Sequence, residues 1–191
     1  RQQILDELAA LTRSVRHIKE IVATQQSYAG ASSMVESARI TDLVEDALRI
    51  DTGGIDHLRI QREFDDVPAL MLDKHRTLLI LVNLIGNARH AVLQAPAGVT
   101  QCIVVRVRAV PGDRLQVVVA DNGCGIAPEH LTRIFAHGFT TKQDGHGFGL
   151  HSCVLAAQEM GGTLTAHSDG PGTGATFTLE LPLTAATETQ A

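Results

Sequence analysis

The sequence predicts an α+β fold, a two-layer α/β sandwich in which one mixed, mostly antiparallel sheet lies under a single helical layer, preceded by a long coiled-coil-like helix. Three observations carry that expectation. The runs "QCIVVRVRAV", "RLQVVVAD" and "GATFTLELP" are rich in the β-branched residues that strands favour and are punctuated by turn residues such as "PGD" and "DGPGTG". Segments with helical periodicity, above all "KHRTLLILVNLIGNARHAVLQ", stand apart from those runs, so helices and strands segregate into layers. Finally, Ile4, Leu8, Leu11, Val15, Ile18 and Val22 form a narrow a/d seam at the start of the chain. A chain of 191 residues can bury one good core and carry a small appendage. The boundaries expected are 1–33 for the helical appendage and 34–191 for the domain.

Taken in order, the leading helix leaves one apolar stripe that it cannot bury alone, which calls for a partner helix in the same chain or a second copy. A plain surface helix is the alternative, although it would need a wider stripe. "AGASS" breaks the pattern and makes a hinge. "TDLVEDALRI" reads as an amphipathic helix capped by Thr41, "HLRIQREF" as a strand and "VPALML" as a shorter one. Asp73 caps the long helix, and Pro96 and Gly98 end it. The two runs around "PGD" should be central antiparallel neighbours. Between Gly125 and the helix "LHSCVLAAQEM" lies a stretch too long for an ordinary connection, with room for one helical turn, and loops of that kind usually move or bind. "GG" stops the helix, a last hairpin forms around "DGPGTG", and the tail "TAATETQA" has nothing to bury.

Composition narrows the function classes. A net charge of -5 with scattered Lys and Arg gives no basic stripe for a phosphate backbone, and one Tyr with no Trp supplies no stacking platform, so a nucleic-acid partner is not expected. Cys102, Cys124 and Cys153 are odd in number and widely spaced, which favours neither a disulfide framework nor a zinc site. A reducing, cytoplasmic setting is expected, with any membrane anchor of a parent protein lying elsewhere. Of the nine His residues, His57, His75, His130, His137, His151 and His167 show no H-x-x-x-H or H-E-x-x-H pairing and read as scattered surface groups.

Chemistry concentrates in a few places. Asn83 and Asn87 lie four apart on the long helix, hence on one face, and two amides in an apolar helix suggest a polar rim along a cavity. A single buried Asn could equally bond a neighbouring carbonyl. "DNGCGI" sets Asp121, Gly123 and Gly125 at alternate positions where a strand ends, a pattern that also makes an ordinary turn. Gly145, Gly147 and Gly149 alternate immediately before a helix, where bare backbone and a helix N-terminus can receive phosphate.

In order along the chain, "NLIGNARHAV", "DNGCGI", "IFAHGFTTK" and "GHGFGL" resemble the N box, first glycine box, phenylalanine box and second glycine box of sensor histidine kinases. The resemblance covers about residues 34–183. It implies the nucleotide-binding fold shared with gyrase-type topoisomerases, ninety-kilodalton heat-shock chaperones and mismatch-repair ATPases, and it implies ATP and Mg2+ as cofactors. On that likeness Asp121 would accept a hydrogen bond from the adenine amine, with Gly123, Gly125 and Ile126 framing the ring. Asn87 would bind the magnesium ion, and Lys142 with Thr141 and the loop of Gly145, His146, Gly147, Phe148, Gly149 and Leu150 would surround the phosphates. Phe135 and Phe139 would fasten a lid, a role that core packing also accounts for. Thr176, in "GTGATF", would complete the pocket.

Two departures bear on affinity. His90 stands where many such kinases carry Lys, so its charge is weaker and depends on pH, and Ala175 stands where Thr is common. Asn83 occupies the place where hydrolytic members carry Glu; a neutral amide is no general base, which favours transfer to a protein nucleophile. Asn83, Asn87 and Lys142 are thus the catalytic candidates.

The leading helix, with "HIKEIVATQQSYA", resembles the second helix of a dimerisation and phosphotransfer hairpin, implying a homodimer through residues 1–29. His17 has no acid beside it and no Pro a turn later, so the phosphoacceptor is expected upstream of Arg1, and the chain alone is not expected to phosphorylate itself. The implied partners are that acceptor helix and a response-regulator receiver domain. A nucleotide-binding scaffold without catalysis and a hydrolytic ATPase remain as alternatives.

Overall fold

The computed structural model describes residues 35–52, 58–95, 98, 100–142 and 147–184. The chain divides between Ser33 and Met34 into two units, and the described residues all belong to the second. The predicted leading helix, the hinge and the tail beyond Thr184 lie outside the described residues.

The elements are β1 (Val35–Ala38), α1 (Ile40–Thr52), β2 (Arg59–Phe64), β3 (Leu70–Asp73), α2 (Lys74–Leu93), β4 (Cys102–Val110), β5 (Arg114–Asp121), α3 (Pro128–Leu131), α4 (Gly149–Glu159), β6 (Thr163–His167) and β7 (Ala175–Pro182). Five strands form the main sheet in the order β2-β4-β5-β7-β6, and β1 pairs with β3 in a separate ribbon. All neighbours in the main sheet are antiparallel except β2 and β4. This is the expected sandwich, with β4 and β5 as adjacent inner strands.

Alternation explains the layering. On β7, Ala175, Phe177, Leu179 and Leu181 are buried while Thr176, Thr178 and Glu180 are only partly so, and β5 buries Leu115, Val117 and Val119 in register. The buried face receives α2 through Ile80, Leu81, Leu84, Ile85, Ala88 and Val92, all fully inaccessible. Each large side chain in that row contributes on the order of 1.5–3 kcal/mol by leaving water. α2 and α4 run antiparallel, since Arg76 near the start of α2 pairs with Glu159 at the end of α4 at 3.0 Å. Asp73 caps α2 as expected, accepting the Arg76 N–H at 3.0 Å.

Two ends differ from expectation. α1 begins at Ile40, and the Arg39 carbonyl accepts the first amides, so Thr41 already lies inside the helix rather than capping it. α2 stops at Leu93, where the Gln94 N–H turns back to the Ala91 and Val92 carbonyls; the stop comes ahead of Pro96 and Gly98.

Candidate functional site

α2 sets the geometry. Asn83, Asn87 and Ala91 are one turn apart along a single face, spanning about 12 Å at the ordinary helical rise. Each meets a different one of the segments that stood out in the sequence.

At the last turn, the loop after β5 docks on main chain. The Cys124 N–H donates to the Ala91 carbonyl at 3.1 Å, and the position of a Cβ on Gly123 is filled by the backbone of Ala91 and Val92. At Gly125, with φ +69°, a Cβ would run into the Gly170 carbonyl. The bareness of both glycines is therefore needed for chain-to-chain contact.

The same loop is joined to the β6–β7 turn. Ser168, 8% exposed, accepts the Ile126 N–H at 3.0 Å and donates to the Gly174 carbonyl at 2.6 Å, while the Gly172 N–H reaches the Cys124 carbonyl at 2.7 Å. Asn122 fastens its other side, accepting the Cys102 N–H at 2.8 Å and donating to the Thr100 carbonyl at 2.7 Å. Asp121 sits inside this frame and accepts the Gly123 N–H through Oδ1 at 2.9 Å. Burial pushes its carboxyl above the ordinary carboxylate value, against the pull of backbone donors at Gly123 and Ala175. A partly desolvated acceptor of this kind gains from a donor on a ligand.

Thr176 does not join it. Asp121 pairs with Ala175 and Ala120 with Thr176, so the two-residue alternation turns Thr176 to the face of the sheet opposite Asp121. It is Ala175 that lies on the side of the site.

At the middle turn, the Lys142 ammonium donates to the Asn87 amide oxygen at 2.7 Å. One hard oxygen already accepting a cation is the donor that magnesium would use, and magnesium takes few protein ligands when phosphates supply the rest. Among the described residues no cluster of three or more His, Cys, Asp or Glu offers a competing metal site. His90, a turn before Gln94, faces the Gln94 amide nitrogen at 2.9 Å. Burial, then the charges of Lys142 and Arg89, hold its pKa below the ordinary 6.5, so near neutral pH it adds no charge.

At the first of the three turns, the Asn83 amide donates to the Leu79 carbonyl at 2.9 Å, while its oxygen occupies the space a Cβ on Gly149 would need. The nitrogen of that amide is thus committed to the helix, and its oxygen lies close against the start of α4. α4 begins there with no side-chain cap, leaving first-turn amides available to an anion.

Of the lid residues, Phe135, Phe139 and Leu150 are partly buried and pack against the core, as does Ile126. Core packing thus accounts for part of what the two phenylalanines do. Phe148 packs against His137 with the rings tilted by 50° and their centroids 4.8 Å apart. Gly147, at φ +72°, backs directly onto Gly138 and Phe139, and the Gly138 N–H donates to its carbonyl at 3.1 Å. Thr141 is exposed, and Gly145 and His146 lie outside the described residues.

Sequence reasoning missed Ser168, Gln94 and His151. Ser168 precedes a glycine-rich turn and His151 directly follows "GHGFGL", but neither adjacency signals a hydrogen bond to a residue distant in the chain.

Residues 72–185 match the family described as histidine kinase-, DNA gyrase B-, and HSP90-like ATPase. The sensor histidine kinase ZraS of Klebsiella oxytoca is 33% identical over 180 residues, covering 93% of this chain and 36% of its own length. The chain therefore spans little more than a third of that relative. Among solved structures, the mycobacterial sensor histidine kinase MprB superposes with a TM-score of 0.68 at 19% identity, over 80% of this chain and 99% of that one. Full-length ShkA in complex with AMPPNP gives 0.70 at 23% identity, over 91% of this chain and 38% of that one. At these identities the two structures establish the fold. No helix among the described residues is long and apolar enough to cross a membrane.

Proposed function

Since the chain belongs to the histidine kinase-, DNA gyrase B-, and HSP90-like ATPase family, we propose that residues 34–191 are the ATP-binding catalytic domain of a two-component sensor histidine kinase. It would transfer the γ-phosphoryl group of Mg-ATP to a histidine outside this chain, for relay to a response-regulator receiver domain. The leading segment, 1–33, would supply half of the dimerisation hairpin. The observation that carries this reading is the order of contacts along α2: base loop at Ala91, cation and amide oxygen at Asn87, uncapped helix terminus at Asn83.

A nucleotide lying along that face places its base beside Asp121, whose carboxylate accepts from the adenine amine and meets a carbonyl on guanine. Asn87 would hold the magnesium ion, which when bound neutralises phosphate charge. Lys142 would move from the Asn87 oxygen to the phosphates, and the first-turn amides of α4 would bind the far end of the chain of phosphates. Phosphoryl transfer asks mainly for positioning and charge, and these groups supply both.

Hydrolysis is disfavoured on chemical grounds. The Asn83 amide is no base, and its nitrogen is already bonded to the Leu79 carbonyl. The test is to add labelled Mg-ATP with a separate phosphoacceptor hairpin. Acid-labile phosphate on the added histidine, with free phosphate at background, is the expected result. Tight ATP binding with no transfer would instead identify a nucleotide-binding scaffold, and phosphate release well above background a hydrolytic clamp.

A further inference from the structure

We propose that His151 is a positioning residue for the phosphate end of the site, acting through the Phe135 carbonyl on the segment that carries Lys142. The inference rests on the nucleotide reading proposed for this site. His151 lies in the first turn of α4, and its Nδ1 stands 3.0 Å from the Phe135 carbonyl oxygen. A carbonyl can only accept, so Nδ1 carries the hydrogen, whether the ring is neutral or cationic. Among the described residues no backbone donor reaches that carbonyl. Taking the imidazole away leaves a half-buried acceptor to find water.

The bond belongs to a docking surface. The segment 135–139 meets 147–151 again where the Gly138 N–H donates to the Gly147 carbonyl at 3.1 Å. Between those two bonds the His137 ring leans on Phe148 at 4.8 Å and meets the His151 ring edge-on at 5.2 Å and 87°. On its outer side, Phe139 is covered by the Arg133 guanidinium at 4.8 Å. Lys142 follows Phe139 by one short stretch of chain, so where its ammonium can reach is set by how this segment sits on α4. The base loop is tied separately, through Ser168 and Ala91, and does not share these bonds. His151 therefore governs the phosphates and leaves the base alone.

The experiment compares the wild-type chain with His151→Leu, which keeps bulk but loses the donor, and His151→Asn, which keeps an N–H near the position of Nδ1. Calorimetric titration with Mg-ATP and with adenosine is paired with amide exchange over 135–142. For His151→Leu the Mg-ATP affinity should fall roughly five- to tenfold, the loss of about one hydrogen bond, with adenosine affinity unchanged and exchange over 135–142 accelerated. His151→Asn should recover most of the Mg-ATP affinity. Equal losses for ATP and adenosine would show a general structural role and overturn the proposal, as would wild-type ATP affinity in His151→Leu. A wild-type chain that bound neither compound would overturn the nucleotide reading and this inference together.

Discussion

Around Asp121 the site rests largely on main chain: the amides of Cys124 and Gly172 go to carbonyls, Gly123 and Gly125 sit against backbone that no side chain could share, and the short side chains of Ser168 and Asn122 tie the loop at its edges. Around Asn87 it is assembled from side chains that reach across, Lys142 to Asn87 and His151 to Phe135. Main-chain contacts cannot be released one at a time, whereas a lysine can exchange partners by rotating its own bonds. On the nucleotide reading proposed above, the Asp121 end would present one fixed shape to a base, and the Asn87 end would change partners when a charged ligand and its metal arrive.

The largest effect should come from breaking the rigid end. Gly125→Ala places a methyl where the Gly170 carbonyl lies, at a φ that L-residues rarely adopt, and should cost about 3 kcal/mol. Thermal unfolding should fall by roughly 6–12 °C for a domain of this size, with adenosine and ATP binding lost together. A Tm near that of the wild type would mean that the loop is not fixed as described.

The Asn87 end should respond in the opposite manner. Lys142→Met is expected to leave stability within about 0.5 kcal/mol while weakening Mg-ATP roughly tenfold and sparing adenosine. Calorimetry beside a melting curve separates the two readouts, and a large Tm loss would show that the Lys142–Asn87 contact is structural.

A smaller change sharpens the same contrast. His90 is held neutral near pH 7, its pKa lying below 6.5; a proton, and with it phosphate attraction, arrives only on acidification. His90→Lys should tighten Mg-ATP about two- to fivefold at neutral pH and cost a few tenths of a kcal/mol in the free chain, where it crowds Lys142 and Arg89. Because the imidazole gains its charge on the acid side, wild-type affinity relative to the Lys variant should rise as pH falls below 6.5. A ratio that stays flat through acid pH would remove His90 from the phosphate site.

The contrast also explains what the sequence could show. Sandwich, hairpins and the Asp73 cap were legible because period, turn residues and capping chemistry are local properties. The leading boundary of α1 was not, since an Arg39 carbonyl can start a helix with no side-chain signal at all. Asp121, Asn87 and Lys142 were singled out through ordered motifs, and the fold brings the last two into contact. Thr176 was misplaced because a motif names residues without stating which face of a strand they take, and register with β5 decides that. Ser168 and His151 escaped because each acts on the carbonyl or amide of a residue remote in sequence, which leaves no pattern to read.

One titration bears most directly on the base end: nonhydrolysable Mg-ATP and Mg-GTP analogues against the wild-type chain and Asp121→Asn. Strong preference for the adenine compound in the wild type, falling by roughly ten- to a hundredfold in the variant as a hydrogen bond to a charged acceptor is lost, is the predicted result. Equal affinity of the wild type for the two analogues would contradict it.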